Sequence, residues 1–405
     1  MSKEIIEKAD KCIAATYKRP PIVFEKGKGC TLWDTEGKTY TDFVSGIAVC
    51  NLGHAHPRIA KVLSEQAEKL FHVSNLYYTI PQSELAQWLT AHSFADRVFF
   101  CNSGAEANEA AIKLARKYFR DDGDDGRYKI ISAEKSFHGR TMAALSATGQ
   151  DKIRKGFEPV LEGFDFVPFN DAEALREKID DSVCAVMLEP IQGEGGIRCP
   201  RSGYLDTVRE ICDKTGTLLI FDEIQTGIGR TGKLFAYEHF GVEPDIMTLA
   251  KALGNGLPIG AMLAKEHAAE AFGLGAHAST FGGTPIITAA SLEVLKTLSE
   301  EKIIAHCENI GDYFKERLSW LRGRHESVVE DVRGMGLLLG MKLKIKGMDI
   351  VETCMEKGFL INCIQENILR FVPPLIVGKA EIDALVALLD DILELGIGNR
   401  GMINH

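Results

Sequence analysis

The stretch LLIFDEIQTG, residues 218–227, passes directly from an apolar run into acidic and amide side chains. Its first four residues, Leu218–Phe221, have the length of a buried β-strand. Similar apolar runs recur through the middle of the chain, and most gaps between them are long enough for a helix. Buried strands that alternate with helices predict an α/β fold with a mostly parallel sheet sandwiched by helices. The other runs are Val98–Cys101, Lys129–Ser132, Phe164–Val167, Val183–Leu188, Ile246–Leu249 and Ile259–Leu263.

The regions on either side of this sheet predict a smaller α+β domain that is built from both chain ends. Residues 2–16 have the pattern of a short helix, and the last third combines helices with a strand-like patch near Gly336–Leu343. A chain of 405 residues has room for two or three domains. We therefore predict an N-terminal arm with part of the small domain at 1–65, a large domain at 66–284 and a C-terminal small domain at 285–405.

Composition excludes several classes of protein before any motif is considered. The formal net charge of −10 gives the chain no general attraction to nucleic acid or to an anionic membrane. The ten cysteines are scattered, without C-x-x-C spacing, which indicates reduced thiols in a cytosol. The N-terminus has no apolar run that would suggest a signal peptide, so we expect a cytoplasmic protein. Residues 271–292 are uncharged, but their glycines and hydroxyl groups argue against a membrane span.

Three polar motifs follow strands of the predicted sheet, where open α/β sheets bind ligands. After Cys101 comes Asn102-Ser103-Gly104-Ala105, which is suited to a tight turn and a helix N-terminus that binds a phosphate. Asp222 follows a second strand, and a carboxylate that is partly desolvated there requires a cationic partner. Lys251 follows a third strand, where burial would lower its pKa and favour a nucleophilic amine.

Each motif also has a purely structural interpretation. The turn could be an ordinary helix cap, Asp222 could form a salt bridge, and Lys251 could extend its amine to solvent. Together they are more specific, because pyridoxal phosphate requires a phosphate anchor, a carboxylate at its ring nitrogen and an amine at its aldehyde. We therefore predict a pyridoxal phosphate site at this edge of the sheet.

Two further motifs in the chain resemble other kinds of site. Gly227–Gly232 matches G-x-G-x-x-G, but four residues separate Asp222 from its first glycine, whereas a dinucleotide fingerprint begins at the strand end. Leu234 stands where a P-loop requires Ser or Thr, so a mobile glycine-rich loop is favoured. His54 and His56 lack third and fourth ligands, so packing or capping is favoured and no metal is predicted.

Two arginines and one aromatic residue complete the set of candidate site residues. Arg140 follows the strand at 129–132, and Arg370 lies in the predicted small domain. A guanidinium binds a carboxylate through two parallel hydrogen bonds, so one arginine from each domain would suit a dicarboxylate. Phe137 could lie flat on a cofactor ring. Each arginine could also form a structural ion pair.

From about Tyr17 to Pro374, the sequence resembles the class III, ornithine-type, pyridoxal phosphate aminotransferases of fold type I. Many motifs in the same order make this resemblance more specific than a single fingerprint. Its strongest pieces are Leu32–Asp34, Leu52–Pro57, Asn102–Glu109, Phe137–Thr141, Glu189–Glu194, Phe221–Gly227, Lys251, Ser279–Gly283 and Arg370–Pro374.

The resemblance implies a role for each candidate residue. Lys251 would form the covalent bond to pyridoxal phosphate, and Asp222 would pair with the ring nitrogen. Gln225 would contact the ring hydroxyl, and Phe137 would stack on the ring. The remaining cofactor-binding residues that we infer from the resemblance are Ser103, Gly104, Ala105, Glu223, Ile224 and Thr280.

The resemblance also implies how substrates bind and how subunits assemble. Arg140 would bind the substrate carboxylate with Ser279 nearby, whereas Arg370 would form a second carboxylate clamp gated by Glu194. The family's threonine at the position of Thr280 reaches the phosphate in the other subunit, which implies a homodimer with shared sites.

Within the family, Gly46–Val49 and His72–Tyr78 resemble the members that act on N-acetylornithine. Ornithine-specific members usually carry a tyrosine at the position of Ile47, and its absence favours an acylated α-amine. The expected reaction is transfer of the terminal amino group of N-acetylornithine to 2-oxoglutarate. The alternatives are ornithine, succinylornithine and 4-aminobutyrate aminotransferases, a nucleotide-binding oxidoreductase that uses Gly227–Gly232, and a protein without catalytic activity.

Overall fold

The structure is a computed structural model that describes residues 2–121 and 123–396 of the chain. The described residues form three β-sheets. In chain order the strands are β1 (Phe24–Lys28), β2 (Thr31–Asp34), β3 (Thr39–Asp42), β4 (Arg97–Cys101), β5 (Lys129–Ala133), β6 (Phe164–Val167), β7 (Val183–Leu188), β8 (Leu218–Asp222), β9 (Ile246–Leu249), β10 (Gly260–Ala264), β11 (Val329–Met335), β12 (Leu338–Leu343), β13 (Phe359–Leu360), β14 (Asn362–Ile364) and β15 (Ile368–Phe371).

The central sheet has the strand order β4-β10-β9-β8-β7-β5-β6. Its strands β9, β8, β7, β5 and β6 pair in parallel, whereas β10 runs antiparallel to both β9 and β4. The mostly parallel sheet expected from the sequence is therefore confirmed. Each apolar run forms one of these strands, and no predicted strand end differs from the observed end by more than one residue.

Helices pack against the central sheet and against one another. Helix Gly104–Asp121 packs on β9 and β10, and its buried residues include Ala107, Ala111 and Leu114, as its apolar spacing predicts. Among the described residues, no helix combines the length and the apolar character that crossing a membrane requires. The helices lie at Ser2–Cys12, Pro57–Ala67, Ile80–Ala91, Gly104–Asp121, Met142–Ala147, Asp151–Arg154, Ala172–Lys178, Tyr204–Thr215, Glu266–Ala269, Pro285–Glu300, Ile303–Arg324, Met348–Glu356 and Lys379–Glu394.

Two smaller sheets contain the strands from the two ends of the chain. Strands β1, β2, β3 and β13 form one sheet, in which β13 pairs in parallel with β3 although more than 300 residues separate them. Strands β11, β12, β15 and β14 form the other sheet, which is antiparallel. The domain boundaries at 65/66 and 284/285 stay a prediction, and positions 397–405 of the predicted C-terminal domain lie outside the described residues.

The N-terminal helix is shorter than predicted. It ends at Cys12 rather than at residue 16, and none of its residues is buried. A short helix without tertiary packing has little to stabilise a further turn, so the predicted end at residue 16 is wrong.

A turn of left-handed backbone, Ser45–Ala48, links β3 to the loop that precedes the helix at Pro57. Its four φ angles are 45°, 66°, 68° and 59°, although only Gly46 lacks a side chain. Asp42 Oδ1 accepts hydrogen bonds from the backbone N–H groups of Val44 and Ser45, each at 2.8 Å. Such a conformation costs about 1–2 kcal/mol for each L-residue. Contacts such as those with Asp42 are therefore needed to hold it.

Candidate active site

A cavity of about 470 Å³ lies beyond the carboxyl ends of strands β4, β5, β7, β8 and β9. Each of these strands is followed by at least one residue that lines the cavity. The structure thus brings together most of the site residues predicted from the sequence. The predicted residues that line the cavity are Ser103, Gly104, Ala105, Phe137, Arg140, Glu194, Asp222, Ile224, Gln225 and Lys251.

Lys251 lies two residues beyond the end of β9, with a left-handed backbone at φ 46°. Burial lowers the pKa of its amine to about 8, although the Glu194 carboxylate opposes the shift. With this pKa, about a tenth of the amines are neutral at pH 7 and about half at pH 8, far more than for an ordinary lysine. Lys251 is therefore suited to bond to an aldehyde and then to move a proton.

Asp222 is the last residue of β8, and its side chain is only 4% exposed. Its Oδ1 accepts a hydrogen bond from the backbone N–H of Ile224 at 3.1 Å. Its Oδ2 accepts one from Asn108 Nδ2 at 2.8 Å and lies 2.8 Å from His138 Nδ1. Oδ2 is thereby occupied, which leaves Oδ1 as the oxygen with capacity for a cationic ring nitrogen in the cavity.

The residues that hold Asp222 were not predicted from the sequence. Asn108 donates to Asp222 and accepts a hydrogen bond from Thr248 Oγ1 at 2.7 Å. His138 is buried, and its Nε2 has no partner within the described residues. One signal was available, because Asn108 lies between the buried alanines of helix Gly104–Asp121, where an amide needs a specific partner.

Glu189 directly follows β7 and also lines the cavity. Its carboxyl oxygens accept hydrogen bonds from the backbone N–H groups of Phe137 at 3.3 Å and Gly193 at 3.2 Å. Burial raises its pKa well above the ordinary value, and the Asp222 charge raises it further. Glu189 is thus a third carboxyl group in the cavity, beside Asp222 and Glu194, and it was not assigned from the sequence.

The turn after β4 has the geometry of an anion-binding helix N-terminus. Gly104 begins an 18-residue helix, and a Cβ at this position would lie 2.7 Å from the Ile224 side chain, so any larger residue would require that side chain to move. The first backbone N–H groups of a helix have no partner within it, and the helix dipole favours a negative group there. Ser103 Oγ also accepts a hydrogen bond from Glu106 N at 3.2 Å. The helix-capping interpretation and the phosphate-binding interpretation are thus compatible.

Two arginines occupy different environments near the cavity. Arg140 is exposed and lies 5.8 Å from the Phe137 ring centre, and no ion pair forms with it within residues 2–121 and 123–396. Arg370, only 1% exposed, pairs with Glu194 at 2.5 Å and lies 3.5 Å from Gln225 Oε1. Burial alone would raise the pKa of Glu194, but the charge and hydrogen bond of Arg370 outweigh it and hold that pKa below its usual value.

Four predicted site residues do not line the cavity, namely Arg370, described above, and Glu223, Ser279 and Thr280. Glu223 directs its carboxylate to the backbone N–H groups of Ala236 and Tyr237, at 2.7 and 2.8 Å, and to Thr226 Oγ1, at 2.9 Å. A role for Glu223 as a cofactor ligand is therefore not supported, because its oxygens hold the loop that precedes Ala236. Ser279 Oγ accepts a hydrogen bond from Asn102 Nδ2 at 3.2 Å, and Thr280 is exposed.

The glycine-rich segment Gly227–Gly232 is buried, so the expectation of a mobile loop is wrong. Arg230 Nη1 donates to the carbonyl oxygens of Leu337 and Pro373 at 3.0 and 2.6 Å, and its Nη2 donates to Asn51. Burial lowers the pKa of this arginine to about 10. The segment therefore connects the central sheet to strands from both chain ends.

Each histidine of the H-x-H pair has a structural role: one forms a hydrogen bond with a carboxylate, and the other stands at the N-terminus of a helix. His54 Nε2 lies 2.7 Å from Asp42 Oδ2, and this hydrogen bond raises the pKa of His54 to about 9. His56 stands at the N-terminus of helix Pro57–Ala67. Across the described residues, no three His, Cys, Asp or Glu side chains are grouped as metal ligands.

Comparisons with known proteins show which family the chain resembles over nearly its whole length. The model of the class-III aminotransferase family matches residues 12–393. The acetylornithine aminotransferase of Caldanaerobacter subterraneus is 54% identical over 95% of this chain and 97% of its own, and that of Methanocaldococcus jannaschii is 50% identical over 93% and 94%. The crystal structure of ornithine aminotransferase from Toxoplasma gondii superposes with a TM-score of 0.94 at 33% identity and covers 98% of this chain and 95% of its own.

Proposed function

Because this chain belongs to the class III aminotransferase family, we infer that it is an acetylornithine aminotransferase of arginine biosynthesis. It transfers the terminal amino group of N-acetylornithine to 2-oxoglutarate, giving N-acetylglutamate 5-semialdehyde and glutamate. Its fold is fold type I, and its cofactor is pyridoxal phosphate. The observation that carries the proposal is the placement of Lys251 and Asp222 at neighbouring strand ends in one cavity.

The residues of the cavity fit pyridoxal phosphate, which supplies an aldehyde and an electron-withdrawing ring when it is bound. The N-terminus of helix Gly104–Asp121 would hold its phosphate, and Asp222 would keep its ring nitrogen protonated. Phe137 lines the wall of the cavity and is suited to cover one ring face. Lys251 would hold the aldehyde through its amine and, once released, would supply the base for proton transfer at the substrate carbon.

The two arginines support a dicarboxylate as the amino acceptor. Arg140 is exposed at the mouth of the cavity and is suited to one carboxylate. Arg370 is paired with Glu194, so that a second carboxylate must displace Glu194 in order to bind. While this pair is intact, Arg370 is not available to bind the α-carboxylate of the donor. A donor with a blocked α-amine therefore enters by its terminal amine. The Glu194–Arg370 pair thus favours N-acetylornithine in one half-reaction and 2-oxoglutarate in the other.

We propose that the protein acts as a homodimer. A segment between Phe71 and Ile80 exposes several large apolar side chains, and Tyr78 is 100% exposed. Tyr77, Tyr78 and Ile80 line an apolar groove of about 650 Å³ together with Pro285. Extended apolar surface of this kind is typical of an interface. Thr280 and Phe281 are also exposed, which suits the predicted contact of Thr280 with the other subunit.

The alternatives have less support. A nucleotide-binding oxidoreductase would need Gly227–Gly232 to be open to a ligand, but this segment is buried against Leu337 and Pro373. Ornithine, succinylornithine and 4-aminobutyrate aminotransferases share the same chemistry, and the curated relatives near half identity favour acetylornithine.

A side-by-side assay of four amino donors tests the proposal. Purified enzyme with pyridoxal phosphate and 2-oxoglutarate is given N-acetylornithine, ornithine, succinylornithine or 4-aminobutyrate, and glutamate formation is measured. The expected result is the highest kcat/KM with N-acetylornithine. A higher value with ornithine or 4-aminobutyrate would refute the assigned donor, and absence of glutamate with all four would refute the aminotransferase assignment.

A further inference from the structure

Besides Glu194 and Gln225, which lie at Nη1, Arg370 has a polar partner at Nε. Asn362 on β14 stands directly opposite Arg370 on β15, and its Oδ1 accepts a hydrogen bond from Arg370 Nε at 3.2 Å. Arg370 is nearly fully buried, whereas the Glu194 side chain is 30% exposed. The guanidinium is therefore held at one end by a fixed neighbour in the same sheet and at the other by a more accessible carboxylate.

The guanidinium of Arg370 is planar, so a contact at one end of the group affects the orientation of the other end. Its N–H groups lie in one rigid plane, so a bond to Nε fixes the direction of the terminal nitrogens. Arg370 Nη1 donates to Glu194 Oε1 at 2.5 Å. Because Asn362 holds Nε, the guanidinium keeps its orientation when a ligand carboxylate replaces Glu194 at the terminal nitrogens.

The same hairpin also contacts the loop that carries Glu194. Gln365 lies in the turn between β14 and β15, and its Nε2 donates to the backbone carbonyl of Glu194 at 2.9 Å. Arg333 on β11 donates to the carbonyl of Gly196 through Nε at 2.9 Å and Nη2 at 2.6 Å. The position of Glu194 relative to Arg370 is thus set by residues of one antiparallel sheet, with Asn362 as the member that contacts the guanidinium itself.

We propose that Asn362 is a positioning residue that orients Arg370 for binding one carboxylate of the dicarboxylate substrate. The inference rests on the proposed function for the identity of the two substrates. N-acetylornithine reacts while Arg370 is paired with Glu194, so its half-reaction does not need the orientation that Asn362 provides. The half-reaction with 2-oxoglutarate does need it, because the carboxylate must meet both terminal nitrogens.

The test compares Asn362→Leu, which removes the acceptor at similar volume, with Asn367→Leu as the matched control. Asn367 lies on the same hairpin, but its amide donates to Leu343 O at 2.8 Å, away from Arg370. The probe is glutarate, a dicarboxylate that cannot react, and its Kd for the holoenzyme is measured by calorimetry. We expect binding to weaken about 10-fold in Asn362→Leu, equivalent to about 1.4 kcal/mol, and less than about twofold in Asn367→Leu.

Single half-reactions provide the second measurement. We expect the KM for 2-oxoglutarate to rise about 10-fold in Asn362→Leu, while the half-reaction with N-acetylornithine changes by less than about twofold. An unchanged Kd for glutarate, or equal losses in the two half-reactions, would overturn the proposal. If Asn362→Leu unfolds at a lower temperature than the parent enzyme, Asn362→Ala takes its place under the same criteria.

The two proposals fail separately. Glutarate binding does not require turnover, so it reports on Asn362 even if the parent enzyme proves inactive with N-acetylornithine. That inactivity would refute the proposed donor, whereas a glutarate Kd that is independent of Asn362 would refute only the positioning role.

Discussion

At the scale of single residues, the buried amine of Lys251 should determine how fast the cofactor attaches. The neutral amine is the reactive form, and its fraction rises with pH through the pKa of about 8 in the folded protein. We expect the rate of covalent attachment of pyridoxal phosphate to the cofactor-free protein to rise from pH 6.5 and level off above pH 9. Stopped-flow absorbance measures this rate, with N-acetyl-lysine as the control.

The N-acetyl-lysine control separates the titration of the Lys251 amine from the titration of the cofactor itself. A free lysine side chain keeps its ordinary pKa near 10.4, so its rate should still rise where that of the protein has levelled off. Parallel pH profiles for the two amines would contradict an effect of burial. Borohydride reduction followed by peptide mapping should place the label on Lys251.

Asp222→Asn should retain the cofactor and lose most of the activity. The asparagine can still accept the hydrogen bond from Ile224, but it carries no charge to keep the ring nitrogen protonated. We expect kcat to fall at least about 100-fold, that is by about 2.7 kcal/mol in the activation barrier. Steady-state kinetics measure the loss, and the absorbance of bound cofactor shows that the site is filled. Near-normal turnover in Asp222→Asn enzyme that contains the cofactor would contradict the proposed role of Asp222.

The sequence predicted those site residues that follow a strand, because a strand end has a fixed place in a parallel sheet. Lys251 and Asp222 were found in this way. The cofactor role of Glu223 stays a prediction that the geometry does not support, because its carboxylate accepts hydrogen bonds from the backbone of Ala236 and Tyr237 and does not line the cavity. His138 and Glu189 were missed because their roles depend on contacts between segments that one sequence does not reveal.

At the scale of elements, the left-handed turn Ser45–Ala48 allows a test of backbone strain. Ile47 has φ 68° and is 43% exposed, so its side chain contributes little burial to offset the strained backbone. We expect Ile47→Gly to raise the free energy of unfolding by about 0.5–1 kcal/mol, since relief of strain exceeds the entropy that glycine adds to the unfolded chain. Chemical denaturation measures the change.

The neighbouring Gly46 provides the matched control with the opposite sign. Its φ is 66°, and an added Cβ would make only an ordinary contact with Val49 at 3.6 Å. Gly46→Ala should therefore lower the free energy of unfolding by about 1 kcal/mol through the backbone alone. Equal signs for the two substitutions would show that packing, and not the φ angle, controls stability at this turn.

Elements with strong periodicity were predictable from the sequence, whereas elements held by tertiary contacts were not. The strands of the central sheet are apolar on both faces, so composition alone revealed Val183–Leu188 and Ile246–Leu249 with the observed bounds. The turn at Ser45–Ala48 contradicts the intrinsic preference of Ile47 and depends on Asp42. The burial of Gly227–Gly232 was missed because it depends on strands from the distant C-terminal region.

At the scale of the whole molecule, the pair between Glu194 and Arg370 joins the central sheet to the antiparallel sheet of the C-terminal region. Glu194→Gln keeps the shape of the side chain but weakens its hold on the guanidinium. We expect glutamate to become a better donor relative to N-acetylornithine by about 5- to 20-fold in kcat/KM, because Arg370 is then free to bind α-carboxylates. Half-reactions followed by cofactor absorbance measure the ratio.

The control for this change is Glu330→Gln. Glu330 forms an ion pair with Lys342 at 2.6 Å, on the same antiparallel sheet but outside the cavity. Its substitution should leave the ratio of the two donors unchanged. A ratio that is unaffected by Glu194→Gln would mean that the pair is a fixed structural ion pair.

The exposed apolar segment around Tyr78 should control assembly. Placing a charge in an apolar interface carries a large desolvation penalty, so Tyr78→Glu should weaken the proposed dimer by at least about 10-fold in Kd. Analytical ultracentrifugation measures the dissociation, with Phe157→Glu as a control at another exposed aromatic residue. A parent protein that sediments as a monomer, or equal effects of the two variants, would contradict the assignment of this surface.

The parallel pairing of β13 with β3 has a consequence for synthesis on the ribosome. The register joins Thr41 to Phe359 and Asp42 to Leu360, so β3 has no edge partner until nearly nine-tenths of the chain has been translated. The N-terminal meander of β1, β2 and β3 therefore keeps the outer edge of β3 unpaired while the strands of the central sheet are synthesised. A nascent chain that stalls before residue 360 keeps that edge available to chaperones and to other chains.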